Sequence, residues 1–487
     1  MSKNLFLILI LLPSLAWSQK DTVARIHTFG SIANDVAEDV AITHDGGIIL
    51  IGSTASSGDG NTDIYILKTD SMCNREWSYA IGGNNNDWGY AIKQTFDKGF
   101  IIAASSNSYG NGGYDAMLLK RDSVGNYQWQ KTYGNNDWDF AYDVVQTFDS
   151  GYVFCGETYN NTAGFSDVYV VKTNSIGDTL WTKTIGGSLT DKGNSLMQTA
   201  DSNIVVAGLR NTQSDSTQAY VLKFDKDGIL LWDSTFGGSK FDVANSIIET
   251  NDGNYVFIGT TNSFDTTNND YYIVKISTNG SLIWQNYLSI INNEEAFDIY
   301  ELSNSNLLFV AQTNTFGGGK TDVHLVTLTS SGFWAAKAST FGSTEMEIPT
   351  GLAVNSNGIM YISGYTNSFG KGLNDLMVIK VDTITKNQQY TFTENEDLAP
   401  ISVNELGIKN FSINIYPNPA KKTLHINSSK YPVNIQLIDI LGKPILERKI
   451  HKQLTNIDIS SFPNGFYSLI FLENELVIDV KKIIIAN

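Results

Sequence analysis

Asp63-Ile-Tyr-Ile-Leu-Lys68 is a phrase that this chain of 487 residues states seven times. It returns from Asp115, Asp167, Gln218, Asp270, Asp322 and Asp375, at steps of 52, 52, 51, 52, 52 and 53 residues. Such a period marks an array whose units have too small an apolar face to fold without their neighbours. Working outward from the phrase, one unit runs from Asn34 to Gly83 and holds four short apolar runs. Val40 to Thr43 leads to the turn Asp45-Gly46-Gly47, and Ile48 to Ile51 ends at Gly52. The loop Ser57 to Asn61 precedes the phrase, and a strand around Trp77 closes at Ile81-Gly82-Gly83. Four strands per unit make a propeller blade. The expected fold class is therefore all-β, a seven-bladed β-propeller over residues 24–393.

Two further landmarks keep the same step. Trp77, Trp129, Trp181, Trp232, Trp284 and Trp334 recur once per unit, as expected of a ring that seals one blade against the next. A small residue follows the second strand, as Gly52, Gly156, Gly208, Gly259 and Gly364, with Ala104 and Ala311 in its place. It suits strands converging on a crowded axis. The last unit finishes near Val381 with no following Trp, while Arg25-Ile-His-Thr-Phe-Gly30 matches the end of a Trp strand. The N-terminal segment is thus expected to supply the seventh blade's outermost strand and hide an open edge. Gln388 to Thr393 is the rival for that slot.

Net charge is −17, and residues 411–487 carry 9 Lys and Arg against 6 Asp and Glu, so the first 410 residues hold an excess of 20 negative charges. Such a body repels nucleic acid and anionic membrane, which are bound by cationic patches. Lys3, the apolar run Leu5 to Leu12 and Ala16-Trp17-Ser18 read as a signal peptide over residues 1–18. That run is too short for a bilayer, and no later segment reads as a transmembrane span. Cys73 and Cys155 stand in different repeats and are expected to remain thiols.

A carboxylate opens each innermost strand, as Asp35, Asp87, Asp139, Asp191, Asp242, Glu294 and Glu347. Capping of each one's own turn is the leading expectation. The competing one is a ring around the channel mouth that shares Ca2+; otherwise no cofactor and no metal is expected. Departures from the repeat are better functional evidence than the repeat itself. Trp88 and Trp138 flank Asp87 and Asp139, and Tyr90, Phe140 and Tyr142 thicken the aromatic patch. Aromatic faces beside carboxylates and Asn-rich turns suit a sugar ring; larger packing between blades is the plainer alternative. No catalytic residue is assigned, because no His-x-x-x-His pair, Gly-x-Ser-x-Gly elbow or phosphate loop is present. The reading is a binding or structural module for extracellular glycan or protein. The alternative is a polysaccharide hydrolase or lyase with an acidic site at the propeller mouth.

After about residue 382 the texture changes. Six of the eight prolines lie from Pro400 onward. Residues 394–410 read as a linker, and residues 411–487 as a small C-terminal β-sandwich. Ile415-Tyr-Pro-Asn-Pro-Ala420 is followed by Ile438-Asp-Ile-Leu-Gly-Lys443, Ile457-Asp-Ile-Ser460, Asn464-Gly-Phe-Tyr467 and Lys481-Lys482. In that order they resemble the type A sorting domain of type IX secretion system cargo. The resemblance rests on Tyr416, Pro417, Asn418, Pro419, Gly442, Lys443, Gly465, Tyr467, Lys481 and Lys482. It implies handling by the type IX machinery and its sortase, and a destination outside the cell or on the outer-membrane surface. The repeats are similar to uncharacterised propeller repeats of such cargo proteins, which implies nothing specific about activity.

Overall fold

The computed structural model describes residues 24–159, 165–212, 216–264, 268–288, 292–382, 388–391, 397–398, 413–428, 431–438, 444–473 and 476–486. The signal peptide read at residues 1–18, most of the linker, and Gly442 and Lys443 lie outside them. Seven antiparallel blades come first, five of four strands and two with a fifth strand added. The first blade sets the pattern, from Asp35–Ile42 innermost through Ile48–Thr54 and Asp63–Thr69 to Arg75–Ile81 outermost. The phrase strand is buried along its whole length because both of its faces meet neighbouring blades. Ile49, Ile51, Ile64 and Ile66 of the first blade share one core with Ile92, Phe100, Ile102 and Met117 of the second. The outermost strand, by contrast, alternates, as Thr179–Ile185 does.

The N-terminal strand Ala24–Phe29 closes the ring, lying antiparallel to Asp375–Val381 with Ile26 opposite Ile379. The rival segment goes elsewhere. Gln388–Thr391 runs parallel to Trp334–Gly342 as a fifth strand on the sixth blade. Asp397–Leu398, within the stretch read as linker, pairs in parallel with the N-terminal strand.

The tryptophans and glycines of the repeat have specific partners. Trp77, Trp129, Trp181, Trp232 and Trp284 each lie under the turn that precedes the next blade's outermost strand. A methyl carbon added to Gly125 would come within 3.0 Å of the Trp77 ring, and one on Gly177 within 2.8 Å of Trp129. Both glycines have φ near +80°, so turn conformation and ring contact both demand them. At the closing seam the two landmarks disappear together. Arg25 takes the Trp position opposite Lys380, and the matching turn carries Cys73 at φ 64°, fully buried. Gly52 has a different reason from the one expected. A methyl carbon there would stand 1.9 Å from the Val36 carbonyl, thrust out beside a bulge in the innermost strand. Crowding at the axis is not the cause.

The C-terminal module stacks two sheets. One contains Ile413–Tyr416, Thr423–Ser428 and Leu454–Asp458; the other contains Pro444–Ile450, Val433–Ile438, Gly465–Glu473 and Leu476–Ile485. Leu424, Ile426, Ile435, Leu437, Leu469 and Phe471 fill the shared core. No helix among the described residues is long and apolar enough to cross a membrane.

Candidate functional site

Each innermost strand bulges three residues after its acidic opening residue. Ala37 pairs with Gly52 and Asp39 with Ile51, so Glu38 is the extra residue. Tyr90 and Tyr142 occupy that place in the second and third blades. A bulge bends its strand and re-aims the extra side chain, which is how these residues reach the mouth.

The structure brings the expected aromatic residues together through one that the sequence reading missed. Trp88 stacks on Tyr114 with ring centroids 5.5 Å apart, and Tyr114 stacks on Phe140 at 5.5 Å. Phe140 continues the ladder to Tyr142 at 5.8 Å, and Tyr90 meets Tyr142 edge-on at 5.0 Å. Tyr114 stands just before the phrase, where other units have Thr62, Ser166, Thr217, Asn269, Thr321 and Asn374. That break in a polar series was its available signal. Trp138 abuts Tyr114 and Tyr159 edge-on at 5.9 Å each. Phe140 is 8% exposed and Trp138 51% exposed, so the rings pack one another and Trp138 alone turns a broad face outward.

At the Tyr142 end the ladder becomes polar. The Tyr142 hydroxyl donates to Glu157 at 2.6 Å, and Ser166 donates to the same carboxylate at 2.8 Å. The Lys192 ammonium lies 3.9 Å above the centre of the Tyr142 ring, a cation–π contact. Burial pushes the Glu38 carboxyl up to about 7 against the pull of Lys192, and burial holds the Lys192 ammonium below its usual range. The mouth thus combines a fixed aromatic platform with carboxyl, phenol and ammonium groups. A concavity of about 510 Å³ lies at the opposite end of these strands, lined by Phe96, Lys120, Trp129, Tyr152 and Ile176 among others.

Asp87 and Asp139 sit behind the platform, fully buried. Asp87 accepts the Gly83 N–H at 2.8 Å, the Ser108 hydroxyl at 2.6 Å and the Ser106 hydroxyl. Asp139 accepts the Asn135 N–H at 3.0 Å. The other members of the series are engaged in the same way, Asp242 by Gly238, Thr261 and Ser263, and Glu347 by Ser343 and Thr366. They are folded back into their own blades rather than facing one another around the mouth. Among the described residues, no three His, Cys, Asp or Glu side chains gather as a metal site.

In the C-terminal module, the proline-rich motif is fastened to the final strand. Ala420 donates its N–H to the Ile484 carbonyl at 2.8 Å, and the Ile484 N–H donates to Asn418 Oδ1 at 2.8 Å. Ala420 in turn accepts from the Ala486 N–H at 2.9 Å. Tyr467 pairs with Ile483 and donates its hydroxyl to the Pro463 carbonyl at 2.7 Å, while Gly465 pairs with Ile485. Lys481 and Lys482 lie on that last strand opposite Leu469 and Ser468. Tyr416 remains 47% exposed. Motifs far apart in sequence therefore converge on one edge of the module. Residues 414–486 match the family described as the secretion system C-terminal sorting domain. The chain is a type IX secretion cargo. Export to the cell surface or extracellular space follows from that domain.

No curated protein matches this cargo. Among solved structures, it resembles the extracellular domain of the hybrid two component system BT3049 from B. thetaiotaomicron, at 11% identity and a TM-score of 0.42. The match covers 94% of this chain and 57% of that one, so the cargo spans little more than half of that relative. PorZ, a surface component of the type-IX secretion system of Porphyromonas gingivalis, matches at 11% identity over 94% of this chain and 75% of that one, with a TM-score of 0.30. The β-propeller domain of the Trilobed protease from Pyrococcus furiosus matches at 11% identity over 73% of this chain and 96% of that one, with a TM-score of 0.43.

Proposed function

We propose that this exported propeller is an extracellular carbohydrate-binding protein whose ligand lies against Trp138 at the channel mouth. One observation carries the reading. Trp138 is half exposed, yet its ring is braced edge-on by Tyr114 and Tyr159. A large apolar ring held rigid in water is costly unless something covers it, and a sugar's C–H face is a suitable cover. Glu157, Tyr142 and Lys192 supply acceptor and donor groups for hydroxyls close by. The face is a platform more than an enclosed pocket, which suits a polymer chain.

A second reading, a polysaccharide hydrolase or lyase, is favoured by the Glu38 carboxyl, which burial raises to about 7 beside Lys192. A strongly perturbed acid in a cleft is a general-acid candidate. A glycan array followed by calorimetry distinguishes the two. Binding without turnover, weakened about 3- to 10-fold by Trp138→Ala, supports the binding protein. Turnover of a polysaccharide that Glu38→Gln abolishes supports the enzyme. An array with no hit, together with capture of a surface protein lost in Trp138→Ala, replaces the glycan with a protein partner.

A further inference from the structure

We propose that the junctions between adjacent blades are divalent-cation sites, with Ca2+ the preferred ion and one carboxylate supplied by each blade. Asp63 opens the phrase strand of the first blade, and Asp87 opens the innermost strand of the second. Gly82 lies between them. A methyl carbon placed on Gly82 would stand 1.8 Å from Asp63 Oδ1 and 2.7 Å from Asp87 Oδ2. The same point beside Gly186 lies 1.8 Å from Asp167 Oδ1 and 2.7 Å from Asp191 Oδ2. Beside Gly342 it lies 1.6 Å from Asp322 Oδ1 and 2.8 Å from Glu347 Oε2. At the closing seam, Gly30 stands in this relation to Asp375 and Asp35. Two carboxylate oxygens thus converge at repeated junctions, near enough for one ion with Ca–O bonds of about 2.3–2.6 Å to touch both.

A pair of acids is not in itself a site, and the second observation is what remains unsatisfied. Asp63 and Asp322 are at most 1% exposed, and Asp167 is 8% exposed. Asp63 Oδ2 accepts the Gly60 N–H at 3.1 Å, and Asp322 Oδ2 accepts the Gly319 N–H at 3.1 Å. Yet Oδ1 of Asp63, Asp167 and Asp322, the oxygen that meets the second carboxylate, accepts no hydrogen bond. Buried acceptors are almost always paired, so three orphans at one repeated position call for a cause. A cation held between the two carboxylates supplies the missing partner.

The exceptional repeat points the same way. At the junction of the fourth and fifth blades the phrase begins with Gln218, whose amide donates to the Gly238 carbonyl at 2.7 Å. Where a carboxylate is lost, a donor that satisfies itself within the protein takes its place. The ligands are hard oxygens, which select Ca2+ over softer metals. Two carboxylates, with backbone oxygens and water completing the shell, fit the weak affinity of about 10⁻⁴–10⁻³ M typical of extracellular calcium modules. That matches a protein exported from the cell.

The test uses the purified secreted protein at pH 8. Titration with CaCl2 should show saturable heat, and the melting temperature should rise by about 5 °C or more, beyond any rise in NaCl of equal ionic strength. Asp63→Asn should remove one bound ion per chain. Gln218→Asp, which restores the missing acid opposite Asp242, should add one, and it keeps the test decisive if Asp63→Asn fails to fold. A melting temperature indifferent to calcium overturns the proposal, as does an ion count unchanged by Gln218→Asp. A melting temperature that follows pH alone also overturns it, because a shared proton then fills the role.

Discussion

The Lys172 ammonium lies 2.7 Å from Asp149 Oδ1, and the two partners live in different media: the lysine side chain is 5% exposed and the aspartate 63%. The bond ties the phrase strand to the turn that follows the innermost strand of its own blade. Lys68 and Asp45 repeat it at 3.0 Å, Lys120 and Asp97 at 2.9 Å, Lys223 and Asp201 at 3.1 Å, and Lys275 and Asp252 at 2.6 Å. In the sixth blade both members change together, to Thr327 and Asn304. In the first five blades the closing residue of the phrase is therefore one half of a latch.

The unequal burial predicts unequal mutational costs. Asp149→Ala leaves an ammonium inside the blade without its counter-charge, at a cost of about 1–3 kcal/mol after allowance for the exposed partner. Lys172→Met leaves a carboxylate that water can solvate and fills the buried space with an apolar chain. Its cost should stay below about 1 kcal/mol. Urea unfolding of both variants measures the difference, and equal costs would refute the latch reading.

The latch also sets part of the pH dependence. Burial opposes ionisation of Asp149, but the Lys172, Thr147 and Gly151 donors prevail and bring it down to about 2, and Asp201 behaves likewise. Their folded values lie below the unfolded one, so their stabilisation is present above about pH 4 and is lost as pH falls towards 2. Asp63, Asp115 and Asp322 have the opposite sign. Burial raises each to about 6, so stability is lost as pH rises from about 4 through 6. In calcium-free buffer, melting temperature should therefore peak near pH 4–5 and decline on both sides. A maximum at pH 7 or above would contradict these shifts.

The ring and its closure were legible because they rest on period and phase. The phrase strand is apolar on both faces, so it announces itself in any blade, and Phe29 keeps the phase of Ile81 across the seam. The acidic series caps its own turns, as its leading reading had it, but its second set of partners, the hydroxyls of the next strand, was not legible. A carboxylate folded back onto Ser106 and one facing the channel have the same sequence neighbours, and only the hydroxyls of the next strand decide between them. Tyr114 escaped for a related reason: its role is to join Trp88 of one innermost strand to Phe140 of the next, a contact between blades that no local pattern encodes. The latch lysines were visible in the first five copies of the phrase, but a lone Lys at a strand end reads as solvated until its burial is known.

The sorting module makes a prediction about export. Deleting residues 414–486 should leave the propeller inside the cell envelope, measured by fractionation and immunoblotting of the native host. Asn418→Ala removes the acceptor of the Ile484 N–H and should cost the module about 1 kcal/mol, lowering surface yield without abolishing it. Surface delivery of the deletion variant at the normal level would show that another segment carries the export signal.

Closure by the N-terminal strand can be tested at a single side chain. Phe29 is fully buried and shares a core with Ala37, Val40 and Tyr65 of the first blade and with Leu376 and Val378 of the seventh. Phe29→Ala should therefore loosen both sides of the seam and cost about 3–5 kcal/mol. Ile32, three residues on, is 81% exposed, and Ile32→Ala should cost no more than about 0.5 kcal/mol. If Gln388–Thr391 could replace the N-terminal strand beside Asp375–Val381, Phe29→Ala would be buffered and the two variants would unfold alike. That segment already lies against Trp334–Gly342 in the sixth blade, so the seam has no substitute at hand. Hydrogen exchange should accordingly rise first along Asp375–Val381 in Phe29→Ala and remain at its wild-type level in the third and fourth blades.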